Sequence, residues 1–573
     1  MSAFRRLTPD ANEQSWAGSR PVTRDSPLWL AAGLGFSVLF AARTMGPALG
    51  PDVIQDDARQ HVFWMYRFHD PELFPHDLIA DYFQSVAPPA YTAVYWTLSW
   101  VADPIVATKL LPPVLGCVTA LFVFLLVRGV HASPAPAFLA TVLLSWYVWQ
   151  YDDLSSASPR AFLLPGLAAL LWALATGRLV LCVVLNGLAA LLYPVGGALG
   201  VGVVAARLVR FGPSWPALDR DRAAWLAFLA SATIVAALLL PSQVAGSSFG
   251  PTVSARQAQG MPEFGESGRN AFFIEGGYRY WLESYRSGLD LRVVDAQFPR
   301  IPLLFEYAAL AALLPLLALA RPRWRDPSWL AAPRTVTLQL LLASLSLFFL
   351  AHLLLFRLYL PARYVQWSSP LLLSIWAGLG LGIALERASS RFASGRVWPL
   401  AVGVAVALAL YPAHYDGNFV RDEHPAITAF LRAQPREILV AAAAVEADSV
   451  PAFTGRRVLV AREYALAYQL GYYAEIRRRI QDLIDAYYAD SPRRLVDFVA
   501  RYGVDVVLVN RAAFDQTTFT DAWTAEFEPF TSTISSRLRR SGRFALLELA
   551  HQCAAVDDGR VAAVTADCLR AQP

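Results

Sequence analysis

Long apolar runs alternate with short polar connections between residues 27 and 412. Many of these runs are long enough to cross the roughly 30 Å hydrocarbon layer of a membrane as helices. The first run has no clear small-residue cleavage site and the pattern continues after it, so we interpret it as a span and not as a cleavable signal. The pattern predicts about eleven spans, at 27–45, 105–127, 134–150, 161–176, 179–193, 195–209, 224–241, 301–320, 335–356, 368–386 and 397–412.

Arginine recurs on one side of the predicted spans. The N-terminal tail, residues 1–26, and every second connection after it carry arginine. Because cytoplasmic loops retain positive charge, we expect these segments inside the cell. An odd number of spans then places the C-terminal tail outside, together with two long loops at 46–104 and 242–300.

The first of these long loops contains the apolar and aromatic stretch YTAVYWTLSWVADPI at 91–105, which follows Pro88 and Pro89. This stretch is too short for a confident span. Its composition is typical of a helix that lies in the membrane surface.

The pattern changes at about residue 413. Short β-like runs alternate from there with helical stretches at 473–489 and 492–503. This alternation predicts a small α/β domain. We therefore predict a polytopic α-helical membrane protein, with a transmembrane domain at 27–412 and an extracytoplasmic α/β domain at 413–573. The β-like runs are at 436–444, 456–461 and 504–510.

Composition agrees with a membrane protein, since 56% of the residues are hydrophobic, only 16% are charged and the mean hydropathy is +0.39. Lys109 is the single lysine among 49 basic residues. The arginines are spread among loops, so a nucleic-acid partner is not indicated. Cys553 and Cys568 are the only cysteines of the tail, and we predict that they form a disulfide because the tail faces an oxidising compartment.

The stretch QDDARQH at 55–61 follows the first span and is the leading candidate site. A carboxylate near an apolar interface is a candidate base, because partial desolvation raises its pKa. Of the neighbours Asp56 and Asp57, one can accept a proton while the other orients a substrate or ion. Arg59 and His61 are candidate substrate contacts. The alternative is a solvated pair of loop carboxylates.

Two further groups fall on the predicted outer side. Asp152, Asp153 and Arg160 form either a capped turn or a second half of the first site. The stretch FRLYLPARYVQW at 356–367 either anchors the chain at the membrane interface or binds a lipid-linked phosphate. Its candidate contacts are Arg357, Tyr359, Arg363 and Tyr364.

The sequence has an acidic pair after the first span and then a Pro-Pro-led helix. It also has the stretch TKLLPPVLGCVTALFVFLLVRG at 108–129 and a second acidic pair at 152–153. Together these features resemble the GT-C glycosyltransferase superfamily. The pattern is most similar to transferases that use polyprenyl-phosphate sugars, such as protein O-mannosyltransferases and aminoarabinose transferases. The resemblance covers roughly residues 27 to 210.

The resemblance implies that Asp56 is the catalytic aspartate of the first loop and Asp57 its acidic neighbour. Aminoarabinose transferases have a lysine directly before Pro-Pro, where this chain has Ala87. Lys109 or an arginine is then expected to meet the donor phosphate. No cofactor is implied, and the alternative is a divalent cation held by Asp56 and Asp57 with Asp152 and Asp153.

The implied function is transfer of a sugar, with inversion, from a polyprenyl-phosphate donor to a glycan, lipid or protein acceptor. It would take place on the outer face of a bacterial inner membrane. One alternative is a non-catalytic membrane scaffold or assembly factor that acts through its outer α/β domain. A transporter is a further alternative, against which the scarcity of charges in the middle of the spans counts.

Overall fold

A computed structural model describes residues 26–131, 133–211, 216–244, 247–290, 328–390, 396–410, 417–443, 445–515, 526–540 and 543–571. Within these ranges, ten apolar helices form a bundle. Their bounds are Ser26–Met45, Pro104–Val130, Pro134–Val148, Leu163–Ala175, Leu179–Leu192, Pro194–Ala206, Arg222–Val244, Ser328–Leu353, Ser368–Ser389 and Trp398–Leu410.

Five stretches of the bundle are long and apolar enough to cross a membrane, and the other helices are shorter. The chain is a membrane protein. Each predicted span coincides with one of the ten helices except 301–320, which lies outside the described residues. The number of eleven spans therefore stays a prediction. The five long stretches are Ser26–Leu49, Pro104–Gly129, Arg222–Pro241, Thr335–Leu353 and Pro361–Ser389.

Small residues bring the helices Pro134–Val148 and Ser368–Ser389 together. A Cβ atom at Gly378 would lie on the backbone of Ala140, and one at Gly382 would lie on Pro136. Glycine at both positions lets the two backbones approach closely, as is common in membrane bundles.

Three loops lie at one end of the bundle. The first loop (46–103) contains the helices Asp56–Val62, Leu78–Val86 and Pro89–Ser99. The last of these overlaps the predicted surface helix, and its two faces differ. Tyr91 and Tyr95 are buried, whereas Trp96 on its other side is 50% exposed.

The second loop (149–162) contains the short helix Asp152–Ser155 and a 3-10 turn, Pro159–Phe162. The third loop follows Arg222–Val244 and is described from 247 to 290. It contains the helix Ala255–Gln259, a 3-10 turn at Pro262–Phe264 and a π-helical turn at Arg279–Glu283.

Residues 417–571 form an α/β segment. Its strand β4 (Phe419–Arg421) pairs antiparallel with β1 (Val53–Gln55) of the first loop. A separate hairpin, β2 (Val209–Phe211) and β3 (Pro216–Leu218), follows the helix Pro194–Ala206.

Five further strands belong to the α/β segment: β5 (Leu439–Ala442), β6 (Arg457–Val458), β7 (Val506–Asn510), β8 (Ala554–Asp557) and β9 (Val561–Thr565). They form one sheet with the order β6-β5-β7-β9-β8. β5, β6 and β7 lie parallel, whereas β9 pairs antiparallel with β7 and with β8. The β-like runs predicted from the sequence contain β5, β6 and β7, while the hairpin of β8 and β9 was not predicted.

Seven helices of the described part of this segment accompany the sheet. A disulfide joins Cys553, at the end of one helix, to Cys568 in the last. The helices are Pro425–Ala433, Glu446–Thr454, Leu470–Tyr487, Pro492–Tyr502, Phe530–Arg540, Ala545–Cys553 and Ala566–Arg570.

The α/β segment and the first loop share one hydrophobic core. The ring of Tyr82 stacks on Tyr472 at 3.8 Å between centroids, and Phe63 meets Tyr464 at 5.2 Å. The composition change at about 413 is therefore no boundary between two separately packed units. The first loop is folded onto the segment that follows the last described helix of the bundle.

Candidate functional site

A cavity of about 850 Å³ lies where the three loops meet the α/β segment. Its walls come from all of these parts and from the turn after the helix Ser328–Leu353. Its charged lining residues are Asp56, Asp57, Asp152, Asp153, Arg160, Glu266, Arg269, Arg279, Glu283, Arg286, Asp290, Arg363, Arg462 and Glu463.

The predicted acidic pair begins the helix Asp56–Val62, which we call the Asp helix. The side-chain oxygen of Gln55 accepts a hydrogen bond from the Ala58 N–H at 3.0 Å and caps this helix. The backbone N–H of Asp56 donates to the Asn418 carbonyl at 2.9 Å, which continues the pairing of β1 with β4. The α/β segment thereby fixes where the acidic pair begins.

Arg160 joins the first two loops. Its guanidinium lies 2.6 Å from Asp57, 2.7 Å from Asp152 and 3.9 Å from Asp153. The Asn418 amide also donates to Asp152 at 2.8 Å. The two acidic pairs of the sequence therefore meet at one partly buried arginine.

The same contacts shift the pKa values of the second pair in opposite directions. Burial favours the protonated form of Asp152, but Arg160 and Asn418 outweigh it and hold its pKa below the usual range. Burial raises the pKa of Asp153 to about 6, because Arg160 is farther from this carboxylate.

A second cluster lies on the other side of Asp56. Arg59 is 2.5 Å from Asp56, 3.8 Å from Glu463 and 3.9 Å from Asp448. Glu463 also pairs with Arg269 of the third loop at 2.7 Å. Burial raises the pKa of Glu463 to about 7.

Asp56, Asp57 and Glu463 each offer a carboxylate oxygen within 4.8 Å of the others. Such a set could hold a divalent cation with oxygen ligands. The metal site considered as an alternative from the sequence has Asp152 and Asp153 in place of Glu463.

The lining also includes two arginines, Arg286 and Arg363, that have no carboxylate within 4.0 Å among the described residues. Arg286 is only 7% exposed, and it donates to the Tyr468 hydroxyl at 3.2 Å and the Arg269 carbonyl at 3.0 Å. The Nε atoms of Arg286 and Arg363 are buried and have no hydrogen-bond partner within the described part of the chain. We call this pair the cationic wall.

Tyr285 lies against the cationic wall, with the Arg286 guanidinium 5.1 Å from its ring centre. Burial opposes ionisation of this phenol, but Arg286, Arg269 and Arg363 outweigh it and lower its pKa. The lowered pKa indicates a positive electrostatic potential on this side of the cavity.

Three predicted contacts from the first half of the chain lie outside the lining given above. Arg59 lies behind Asp56 with 8% of its surface exposed. The Lys109 ammonium donates to the Gly50 carbonyl at 2.5 Å and so holds the start of the first loop. The His61 ring packs edge-on against Phe83, and burial lowers its pKa.

The stretch 356–367 divides between the cavity and its surroundings. Arg363 lines the cavity, donates to Gln366 at 2.7 Å and stacks over Trp367. Arg357 and Tyr359 are exposed and do not appear in the described lining. Tyr364 is buried, and its hydroxyl donates to the Leu358 carbonyl at 3.0 Å.

Sequence reasoning missed Arg286, Glu463 and Asn418, because none belongs to a local motif. One signal pointed to Glu463. The adjacent Arg462 and Glu463 follow directly on the β-like run 456–461, where charged side chains at the end of a buried strand often serve a site.

No family model matches the chain, and no curated protein matches it. Among solved structures, it is similar to the oligosaccharyltransferase AglB from Archaeoglobus fulgidus in complex with an inhibitory peptide and a dolichol-phosphate. The TM-score is 0.52, with 12% identity over 89% of this chain and 72% of that chain. A structure of the Archaeoglobus fulgidus oligosaccharyltransferase with Zn and sulfate gives a TM-score of 0.51 and 12% identity, over 86% of this chain and 68% of that one.

The chain is also similar to ArnT from Cupriavidus metallidurans in the apo state, over 95% of this chain and 100% of that chain. The identity is 14% and the TM-score 0.48. The oligosaccharyltransferase is a membrane glycosyltransferase of the GT-C superfamily. In its fold, this protein is similar to the GT-C membrane glycosyltransferases, as the sequence predicted.

Proposed function

We propose that this protein is a membrane glycosyltransferase that moves a sugar from a polyprenyl-phosphate donor to an acceptor hydroxyl, with inversion. The observation that carries the proposal is a single cavity lined both by paired carboxylates and by two arginines that have no carboxylate within 4.0 Å among the described residues. A sugar phosphate needs both, a base for the acceptor and a cation for the leaving phosphate. The similar AglB structure contains a dolichol-phosphate, which is a polyprenyl-type phosphate.

We assign the general base to Asp56. Asp57 lies 2.6 Å from Arg160, which joins it to the second loop. The side chain of Asp56 is more exposed, 34% against 26% for Asp57, and its partner Arg59 lies behind it. Asp56 is thus the carboxylate with more room to accept a proton from an acceptor.

The donor phosphate would lie against the cationic wall. A buried charge without a countercharge is energetically costly. Within the described residues, the hydrogen bonds that Arg286 donates go to neutral oxygens, those of a tyrosine hydroxyl and a backbone carbonyl. A phosphate would supply the missing countercharge, and arginine binds its oxygens in bidentate fashion. The same guanidiniums would stabilise the charge that develops as polyprenyl phosphate leaves.

The proposed reaction uses no metal ion. Each carboxylate that could bind a cation already has a guanidinium, with Arg59 on Asp56, Arg160 on Asp57 and Arg269 on Glu463, at 2.5, 2.6 and 2.7 Å. A divalent cation would have to displace these partners.

We place the cavity on the outer face of a bacterial inner membrane. The arginine-bearing connections support this orientation, since they would lie on the opposite side. Trp96 on the helix Pro89–Ser99 and Trp100 directly after it are each at least 50% exposed, which suits contact with lipid headgroups beside the cavity. A glycan, lipid or protein acceptor would reach Asp56 from the outer compartment.

The test is sugar transfer from polyprenyl-phosphate donors by wild type, Asp56→Asn and Asp57→Asn. A general base contributes about 10²–10⁴-fold in rate, so transfer should fall by that order in Asp56→Asn. EDTA should leave the wild-type rate unchanged. Full activity in Asp56→Asn would refute its role, and loss only in Asp57→Asn would move the base by one residue. If wild type transfers no lipid-linked sugar, the scaffold alternative is favoured.

A further inference from the structure

We propose that the α/β segment controls the position of Asp56, and that Glu463 is the positioning residue through which it acts. The connection runs through Arg59, which pairs with Asp56 on one side and with the α/β segment on the other. Its effect on catalysis rests on the proposed function. The physical coupling of the two parts does not.

Arg59 has four side-chain partners, three of them on the α/β segment. Its Nη1 atom donates to the Ser449 hydroxyl at 2.9 Å. Its Nη2 atom donates to Asp56 at 2.5 Å and lies within 3.9 Å of Asp448 and Glu463. With 8% of its surface exposed, the guanidinium cannot exchange these partners for water.

Backbone contacts hold the same residues in place. The Gln60 side-chain amide donates to the Glu463 carbonyl, and the Glu463 N–H donates to the Asp448 carboxylate at 2.9 Å. The Tyr464 hydroxyl lies 3.3 Å from the Arg59 carbonyl, to which it donates. The Asp helix is therefore tied to residues 448–464 by main chain as well as by charge.

Glu463 is the residue where three separate segments meet. It contacts Arg59 of the first loop and Arg269 of the third loop, while its own backbone belongs to the α/β segment. The cluster contains three carboxylates, of Asp56, Asp448 and Glu463, and two guanidiniums. Because Glu463 competes with Asp56 for Arg59, it sets how tightly Asp56 is held.

At a pH above 7, where Glu463 is ionised, loss of its charge should draw Arg59 towards Asp56 and Asp448. Asp56 would then be held more tightly and shifted from its productive position. Misplacement of a reacting group by about 1 Å can cost about 10²-fold in rate. We expect Glu463→Gln to lower kcat by about 10–100-fold and to leave the KM for the donor nearly unchanged.

The experiment compares Glu463→Gln with Glu437→Gln, which makes the same charge change at an exposed position of the same segment. Sugar transfer gives kcat and KM, and hydrogen exchange of the peptide 53–65 reports on the Asp helix. We expect lower kcat in Glu463→Gln only, together with faster exchange, because the Asp helix loses one of its contacts to the α/β segment. Ser449→Ala, which removes one Arg59 bond without a charge change, should give a smaller effect of the same kind.

Three results would overturn the inference. These are unchanged kcat and exchange in Glu463→Gln, a raised KM with unchanged kcat, which would make Glu463 a substrate contact, or equal effects in Glu437→Gln. If Glu463→Gln does not fold, Ser449→Ala decides by the same two measurements. If wild type transfers no sugar, the proposed function fails, while hydrogen exchange still decides whether Glu463 positions the Asp helix.

Discussion

Replacement of Arg160 by methionine should be among the most destabilising single changes in this protein. The guanidinium is 14% exposed and contacts three carboxylates, those of Asp57, Asp152 and Asp153. Arg160→Met retains much of the side-chain volume but removes the cation that lies within 4.0 Å of these carboxylates among the described residues. Removal of one partner from a buried ion pair costs about 3–5 kcal/mol, because the remaining charge is uncompensated. Two like charges about 4 Å apart repel by about 4 kcal/mol at an effective dielectric constant of 20, which gives the same order.

Denaturant titration in detergent micelles measures this loss as a change in the free energy of unfolding. Arg279→Met is the matched control, since Arg279 also lines the cavity but pairs with an exposed partner, Glu266, and should cost less than about 1 kcal/mol. Adding Asp152→Asn to Arg160→Met removes one uncompensated charge and should restore about 1–3 kcal/mol.

The loss should also depend on pH. Without Arg160, the clustered carboxylates have folded-state pKa values above those of the unfolded chain. The folded variant then binds protons more readily, so its deficit should shrink as pH falls from 7 to 5. If Arg160→Met costs no more than Arg279→Met, or if Asp152→Asn destabilises the variant further, the ion cluster does not exist as described.

Three further outcomes are expected. Arg286→Gln should weaken binding of polyprenyl phosphate by about 10–100-fold, since a hydrogen bond to a charged group contributes about 1.5–3 kcal/mol. The control Arg256→Gln, at an exposed position of the same loop, should bind like wild type. Equal binding by both variants would place the phosphate elsewhere. Burial raises the pKa of Glu526 from 4.5 to about 8, so the folded protein keeps a proton that the unfolded chain releases in this window, and stability should fall as pH rises between these values. Glu526→Gln should reduce that slope by up to about 1.4 kcal/mol per pH unit, and an unchanged slope would contradict the assignment. Denatured, unreduced protein should expose two thiols of its four cysteines, and loss of the Cys553–Cys568 bond should cost about 3 kcal/mol by chain entropy; four free thiols would exclude the bond.

The helices of the bundle could be predicted because a membrane leaves the backbone few alternatives. Peptide groups in lipid must form hydrogen bonds within their own segment, so an apolar run such as 179–193 becomes the helix Leu179–Leu192. Connections that follow odd-numbered spans share one side, which is why the two acidic pairs meet at Arg160. Both inferences need only local pattern and the order of spans.

The remainder of the site depends on how loops fold against the α/β segment. Arg286 and Glu463 reach the cavity through contacts between segments far apart in the chain, and no local spacing records such contacts. The positions of the side chains in the stretch 356–367 could not be predicted for a different reason. Phe356 and Tyr359 have φ angles of 67° and 62°, so the chain turns between them, and spacing along a regular helix does not predict where Arg357 points.

The pairing of β1 with β4 determines when, during synthesis of the chain, the site can form. The Asp helix is synthesised early, but Arg59 cannot form its hydrogen bond to Ser449 until that residue, 390 positions later in the chain, has been made. At about 5–20 residues per second, a ribosome needs roughly 20–80 s to make that stretch. During this interval the first loop has left the ribosome without the surface that orders it, and we expect it to be open to proteases and chaperones. A nascent chain would therefore be inserted in the membrane well before it could act on anything, and activity would begin only when synthesis is nearly complete.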